Sequence, residues 1–420
     1  MTKRQRQYFD CGSAWVSYSP LEGRKVFSMA IELDHIIRAD ILKVAVKDMK
    51  KRLPKFFVNI KRTKLRDYYV CTESVEIVEE APGYPQRTVP LFDDLKPLFR
   101  ILYKENKVFI EFDHGLTDGN GMIMFFRSLI VHYYELLGIK MKKYAYIHSV
   151  GEQEKDDEYI DNYLKCKVKE KVPMELLKDP ENTVKMEFGK YQENCFCTGI
   201  GFQTKDIVDI AKKYSISVTE YFAAVILYAF YLELKPQKGA RLCINIPIDL
   251  RYVTGNQSIR NSSDTITIGL IPSSGCGATF NEFVTSLRGQ IKKRTEKKVL
   301  MQRIKKSILI TQNPIFKCLP QSLKLPIYTK NYYRLHGSSV TSFSNMGMVV
   351  YPDELCGYIK TEYVAALTNI REGQVSFYCM STNNECVLTA SHGSKETPII
   401  DRIKNLLEHD DINYKLKNLY

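Results

Sequence analysis

Histidine is scarce in this 420-residue chain, with seven residues, and tryptophan is nearly absent, with one. Eleven cysteines are scattered and odd in number, and no CxxC occurs. The nearest pair, Cys195 and Cys197, forms a CxC on an expected strand, which places both on one face with no second pair close by. That spacing does not make a zinc site, so no metal is expected. Scattered thiols without an export signal fit a reducing cytoplasm. The N-terminal MTKRQRQYFD is followed by no apolar run, so a signal peptide is not expected. Long apolar runs are missing too. Residues 221–234 (YFAAVILYAFYLEL) are interrupted by Tyr and Glu and fall short of the ~20 residues a spanning helix needs. No transmembrane segment is expected, and no repeat of fixed period is seen.

The chain is 44% hydrophobic and 26% charged, an ordinary globular balance that excludes fibrous and disordered classes. Its length suffices for two lobes, each with a core. The formal net charge is +13. The excess collects in residues 43–66 (KVAVKDMKKRLPKFFVNIKRTKLR) and 288–306 (RGQIKKRTEKKVLMQRIKK). Such surfaces attract nucleic acid, membrane headgroups or phosphorylated small molecules, or serve only as solvated helix faces. The basic stretches hold few aromatics. Phe56 and Phe57 follow Pro54 in what reads as a buried strand, so a stacking platform for nucleic acid is not expected.

Along the chain, residues 1–150 read as an α/β lobe. Strands are expected at 26–33, 56–60, 67–71 and 108–112, and helices from residue 40 to before Pro54 and over about 120–137. Residues 151–182 are highly charged, with Pro173 and Pro180, and read as a linker carrying short helices. Residues 183–420 read as a second α/β lobe, with helices at 205–214 and 219–234, Thr219 as N-cap, a long basic helix over 279–309 and a closing helix at 398–408. Strands are expected at 198–203, 241–246, 265–271, 340–344, 359–363, 373–379 and 386–391. The fold class is α/β or α+β with mixed sheets.

One local arrangement stands apart: a strand, then DHGLTDGNG over 113–121, then an apolar helix. His114 and Asp118 are four apart, and Gly119 follows. With seven His in the chain, H-x-x-x-D-G is expected about 0.02 times by chance. A His at a strand end sits on a rigid support, and its ordinary pKa near ~6.5 suits proton abstraction at neutral pH. Gly119 and Gly121 permit a tight turn and close backbone approach. By residues alone, His114 is either a general base or a loop histidine beside a glycine turn.

Residues 112–125 resemble the HxxxDG segment of the CoA-dependent acyltransferase superfamily, which includes chloramphenicol acetyltransferase, the BAHD acyltransferases and condensation domains. The similarity is greatest to bacterial alcohol-acetyltransferase-like proteins. Three further segments resemble the family and follow its order: IPIDLR at 246–251, RNSSDTITIGL at 260–270 and SFSNMG at 342–347. The last resembles the family's crossover segment. One departure is Asp113, which stands where many members carry the first of two histidines. The family's base matches His114, so the departure argues chiefly against a peptide-bond-forming condensation domain.

The resemblance implies two chloramphenicol-acetyltransferase-like lobes with a channel between them. It implies transfer of an acyl group, acetyl above all, from a CoA or acyl-carrier-protein thioester to a small-molecule alcohol or amine. Acyl-CoA would be a co-substrate, with no permanent cofactor and no covalent enzyme intermediate. His114 would be the base. Asp118 would be structural, pairing with Arg251, with Arg260 the other candidate partner. Ser344 and Asn345 would supply oxyanion hydrogen bonds, or merely turn chemistry before Gly347. Lys292, Lys293, Lys297 and Lys298, crowding one side of the basic helix, are candidates for the CoA phosphates. His392, at a strand end before Gly393, reads as an ordinary loop histidine. The alternatives to an enzyme are a non-catalytic binding or scaffold protein of this fold, and a nucleic-acid binder.

Overall fold

The computed structural model describes residues 7–8, 26–61, 63–73, 76–81, 96–165, 173, 177–178, 180–190, 192, 195–273, 277–336, 338–366, 370–382, 384–395, 397–417 and 419. The first lobe supplies strands β1 (Gln7–Tyr8), β2 (Val26–Leu33), β3 (Val58–Lys61), β4 (Tyr68–Cys71), β5 (Val78–Glu80), β6 (Phe99–Lys104) and β7 (Lys107–Asp113). The rest of the chain supplies β8 (Phe196–Gln203), β9 (Leu242–Asp249), β10 (Ser263–Leu270), β11 (Thr341–Met348), β12 (Ile359–Ala366), β13 (Val375–Ser381), β14 (Glu385–His392) and β15 (Tyr414–Lys417).

Two larger sheets result. The first has the order β12-β2-β7-β6-β5; the second is mixed, β10-β9-β11-β13-β14-β8-β15, with β11 parallel to both neighbours. A small third sheet joins β1, β4 and β3. The mixed α/β class expected from the sequence is the observed one.

Alternation along β2 explains how the first sheet is buried on both faces. Met29, Ile31 and Leu33 point to a core shared with helices Ala39–Arg52 and Gly119–Leu136, through Leu42, Val46, Phe125 and Leu129. Ala30 points the other way and joins Leu102, Phe109 and Tyr363 against Val387 and Leu419 of the second lobe. The second core surrounds helix Val218–Leu234, which is apolar almost all round and therefore packs on several sides. Its start is a capping box, Ser217 with Glu220, so the N-cap is Ser217 rather than the expected Thr219.

Three further expectations are corrected. Strand β12, read as part of the second lobe, crosses to the first sheet and fills the open edge of β2, with Val364 opposite Met29. Segment 342–347, expected to be the crossover, instead sits inside the second sheet as β11, between β9 and β13. The expected long basic helix is three helices, Phe280–Leu287, Gln290–Arg294 and Lys297–Thr311. It breaks at Gly289, whose φ of +73° is a left-handed conformation no continuing helix allows. The described part of 151–182, expected as a linker carrying short helices, is docked on the rest of the chain. Its short turns Asp156–Tyr159 and Asn162–Lys165 lie against both lobes; residues 166–172 are outside the described residues.

Glu158 shows how that docking works. Its carboxylate accepts two hydrogen bonds from Arg52, at 2.9 and 2.5 Å, and one contact from His148 at 3.1 Å. Its backbone carbonyl accepts the Ile259 N–H at 2.8 Å. The turn thus ties the first lobe to residues 258–262 of the second. Burial works against the charged carboxylate, but Arg52 and His148 outweigh it and hold the group down at about 2.

Candidate active site

The site is built where the β9–β10 connection of the second lobe reaches the turn after β7. His114 follows the last residue of β7 and is half-buried. Asp118 is the N-cap of helix Gly119–Leu136, its carboxylate accepting the Gly121 N–H at 2.8 Å. That is a favourable place for an anion, at the positive end of an eighteen-residue helix.

Arg251 lies opposite Asp118 and binds it with both terminal nitrogens, at 3.1 and 3.0 Å. It also binds Asp249 at 2.9 Å and donates to the carbonyls of Ser258 and Arg260 at 2.7 and 2.8 Å. Burial opposes its charge, yet Asp118 and Asp249 raise its pKa above the ordinary arginine value. Asp118 further accepts the Ser262 N–H at 2.5 Å. One carboxylate therefore caps a first-lobe helix and holds a second-lobe loop. Arg260, the other candidate partner, is instead buried against the rings of Tyr69 and Tyr159, 4.1 and 5.6 Å from their centroids.

Gly121 is required by this contact, whereas Gly119 faces only the flexible end of Met346. A Cβ on Gly121 would lie 2.1 Å from Thr117 Oγ1 and 2.5 Å from the Ile259 carbonyl; one on Gly119 would meet Met346 Sδ at 2.5 Å. Asp113 accepts the Gly115 N–H at 2.7 Å and shapes the turn.

Asn261, which the sequence reading passed over, borders the histidine directly. Its Nδ2 donates to the His114 carbonyl at 3.0 Å and stands 3.2 Å from His114 Nδ1. Ser263 Oγ donates to the Asn261 Oδ1 at 3.0 Å. The only sequence signal was the segment 260–270 itself, since a lone Asn carries no spacing pattern. On another side, the Phe27 ring meets the imidazole edge-on at 5.1 Å, and Tyr378 packs edge-on against Phe27 at 6.0 Å.

Strand alternation separates the two oxyanion candidates. Ser344 is opposite Tyr378 in the β11–β13 ladder and shares its face, which looks toward Phe27 and the first lobe. Asn345 is on the other face with Phe343. Its Nδ2 donates to Thr219 Oγ1 at 3.0 Å, and its Oδ1 accepts the Gly347 N–H at 2.9 Å. Asn345 is thus turned away from His114 and holds the turn at Gly347, whose φ is +73°.

The four lysines are exposed but do not share one helix: Lys292 and Lys293 lie on Gln290–Arg294, Lys297 and Lys298 on Lys297–Thr311. His392 has both nitrogens engaged, with Thr198 Oγ1 at 3.0 Å and the Ser394 carbonyl at 2.6 Å, and burial lowers its pKa despite the carbonyl. It borders a cavity of about 400 Å³ with Thr198, Lys395, Thr397, Asp401 and Lys404, apart from His114. Among the described residues, no cluster of His, Cys, Asp and Glu has metal-binding geometry, and no single helix is long and apolar enough to cross a membrane.

No family model and no curated protein sequence matches the chain. Solved structures do. TRI101 of F. sporotrichioides, solved with coenzyme A and T-2, is 11% identical, with a TM-score of 0.63 over 98% of this chain and 99% of that one. The trichothecene 15-O-acetyltransferase TRI3 of Fusarium sporotrichioides is 12% identical, with a TM-score of 0.55 over 96% and 94%. The first condensation domain of the CDA synthetase is 12% identical, with a TM-score of 0.59 over 98% and 99%. The chain therefore shares its fold with these structures over nearly its whole length.

Proposed function

We propose that the protein is an acyltransferase that moves an acyl group from a CoA thioester to a small-molecule hydroxyl or amine, with His114 as general base. The observation that carries the reading is the position of His114. It ends a rigid strand at the junction of two lobes, on this fold, with Asn261 bridging its carbonyl and Nδ1.

In this reading His114 Nε2 takes the proton of the acceptor O–H or N–H. The freed electron pair attacks the thioester carbonyl, whose π electrons move to oxygen. Collapse of that oxyanion breaks the C–S bond, and the thiolate leaves with the proton from the imidazolium. Atoms and charge balance without a covalent enzyme intermediate. Ser344, on the face toward Phe27 and His114, is the hydroxyl donor for the oxyanion; such a donor is worth about 3 kcal/mol of barrier.

Base action at Nε2 requires the ring proton at Nδ1. Asn261 Nδ2 donates to the His114 carbonyl while Ser263 Oγ donates to Asn261 Oδ1, so the amide fixes the backbone from which the ring projects rather than its tautomer. Asn261 is thus read as the residue that positions the base. Asp118 and Arg251 act through the scaffold, by fixing the β9–β10 connection that carries Asn261. The donor is acyl-CoA or an acyl-carrier-protein thioester, and the reaction belongs in the cytoplasm.

The test is release of free thiol from acetyl-CoA with a panel of alcohols and amines, alongside His114→Ala. Acceptor-dependent release lost in the folded variant supports the reading. No release with any acceptor and either thioester donor leaves the non-catalytic binding protein in its place.

A further inference from the structure

Residues 288–336 hold thirteen Lys and Arg against the single Glu296, a net +12 out of the chain's +13. This run of helices alone carries a surplus nearly equal to the chain's whole net charge. The same segment exposes aliphatic side chains that a soluble helix normally buries. Leu309 and Ile310 stand on helix Lys297–Thr311, Ile315 on Pro314–Cys318, and Leu323 and Ile327, four apart, on Gln321–His336. Ile315 is 75% exposed and Leu309 62%. Inside, the segment has its own small core, Phe316 against Tyr328 with Leu319 and Leu325, so its outward residues are not core residues misplaced.

The other basic stretch joins it. Gln321 N–H donates to the Lys64 carbonyl at 2.9 Å, and Lys324 Nζ donates to the Leu65 carbonyl at 2.6 Å. Leu65, itself 48% exposed, is thus carried beside helix Gln321–His336 between the exposed Lys64 and Arg66. The two stretches, far apart in sequence, meet on one surface region. In it, exposed Lys305 and Lys306 precede Leu309 and Ile310, and exposed Lys330 follows Ile327.

We infer that this region docks the protein on a membrane surface bearing net negative charge, with the aliphatic side chains entering the headgroup–acyl boundary and the lysines among the anionic headgroups. Basic and aliphatic residues interleaved on short helices are what interfacial binding requires: the charges bring the protein in, and the apolar side chains hold it there. A second copy of the chain does not fit, since two surfaces of +12 would face each other. Nucleic acid would use the charge and leave the aliphatic residues in water. The inference does not depend on catalysis, because none of these residues belongs to the site around His114.

The test is co-sedimentation of the full chain with vesicles of phosphatidylcholine alone and of phosphatidylcholine mixed with phosphatidylserine, at physiological salt. Binding is expected only to the mixed vesicles. Substituting Leu309, Ile310, Ile315, Leu323 and Ile327 together by Ser should weaken it at least about tenfold. The pair Ile315→Ser and Leu323→Ser should give a smaller loss in the same direction and guards against misfolding of the larger variant. Lys305→Gln with Lys306→Gln and Lys330→Gln should weaken binding and reduce its salt dependence. Absence of binding to mixed vesicles overturns the inference. So does full binding by the folded Ser variants, which would reduce the effect to charge alone. Saturable binding of an acidic carrier protein in place of vesicles, lost in the Ser variants, would overturn it in favour of a protein partner.

Discussion

Arg251 grips both oxygens of Asp118, Nη1 to Oδ2 at 3.1 Å and Nη2 to Oδ1 at 3.0 Å, with both side chains buried. A buried, bidentate, charge-assisted pair is costly to break from one side, because the remaining charge stays out of water. Asp118→Asn should destabilise the protein by about 3–5 kcal/mol and lower activity with it. Thermal melting and turnover measured together check this. Normal melting with lost turnover would show that Asp118 takes a direct part in the chemistry.

His114→Ala should lower turnover by ~10²–10⁴ at a nearly unchanged melting temperature, since the ring is half-buried and the Asn261 bond to the His114 carbonyl survives. A folded variant with wild-type turnover would end the assignment of the base.

For Asn261, two substitutions separate positioning from packing. Asn261→Ala loses an orienting hydrogen bond worth about 1 kcal/mol, so turnover should fall several-fold. Asn261→Asp puts an anion beside Nδ1 and favours the protonated ring, so the acid limb of kcat/KM should move to higher pH. A residue that only packs would leave that limb where it is.

Two buried carboxyls should give stability slopes of opposite sign. Burial raises Glu362 from 4.5 to about 8, against the Tyr351 hydroxyl at 3.1 Å and the charge of Arg127. The native state then holds a proton the unfolded chain has released, so stability falls as pH rises from about 4.5 toward 8, by about 1.4 kcal/mol per pH unit between those values. Glu158, held down at about 2, stabilises above its ordinary 4.5 and loses that contribution as pH falls toward 2. Melting temperature against pH should therefore lose its alkaline decline in Glu362→Gln and its acid decline in Glu158→Gln. Profiles unchanged by either substitution would contradict these assignments.

The KM for acyl-CoA should rise with ionic strength while that for an uncharged acceptor barely moves. Lys292, Lys293, Lys297 and Lys298 are exposed, and a phosphate drawn to them is screened over about 8 Å at physiological salt. Changing all four to Gln should flatten the response. A full salt response in the quadruple variant would place the phosphate contacts elsewhere.

Several features were local and therefore legible in the sequence. The strand ending at residue 113, the motif turn and the helix capped by Asp118 all obey short-range rules: an apolar alternation, glycines where a Cβ would collide, and a carboxylate at a helix start. The mixed α/β class followed from the succession of such elements. The capping box Ser217–Glu220 and the break at Gly289 were equally local and were passed over, one for a neighbouring Thr and the other for a continuous run of charge.

What no local rule contains is which faces meet. The sequence marked Ser344 and Asn345 as equals; only the pairing of Ser344 with Tyr378 put one on the face toward Phe27 and the other toward Thr219. It carried β12 among second-lobe strands, and the open edge of β2 took it into the first sheet. It held Asn261 without distinction, 147 residues from His114, until the Asp118–Arg251 pair and the Glu158 turn fixed its loop against the motif. Residue type and spacing determine the chemistry a side chain is able to perform. Long-range hydrogen bonds and buried charge pairs, with no counterpart in adjacent sequence, decide which of those side chains share a site.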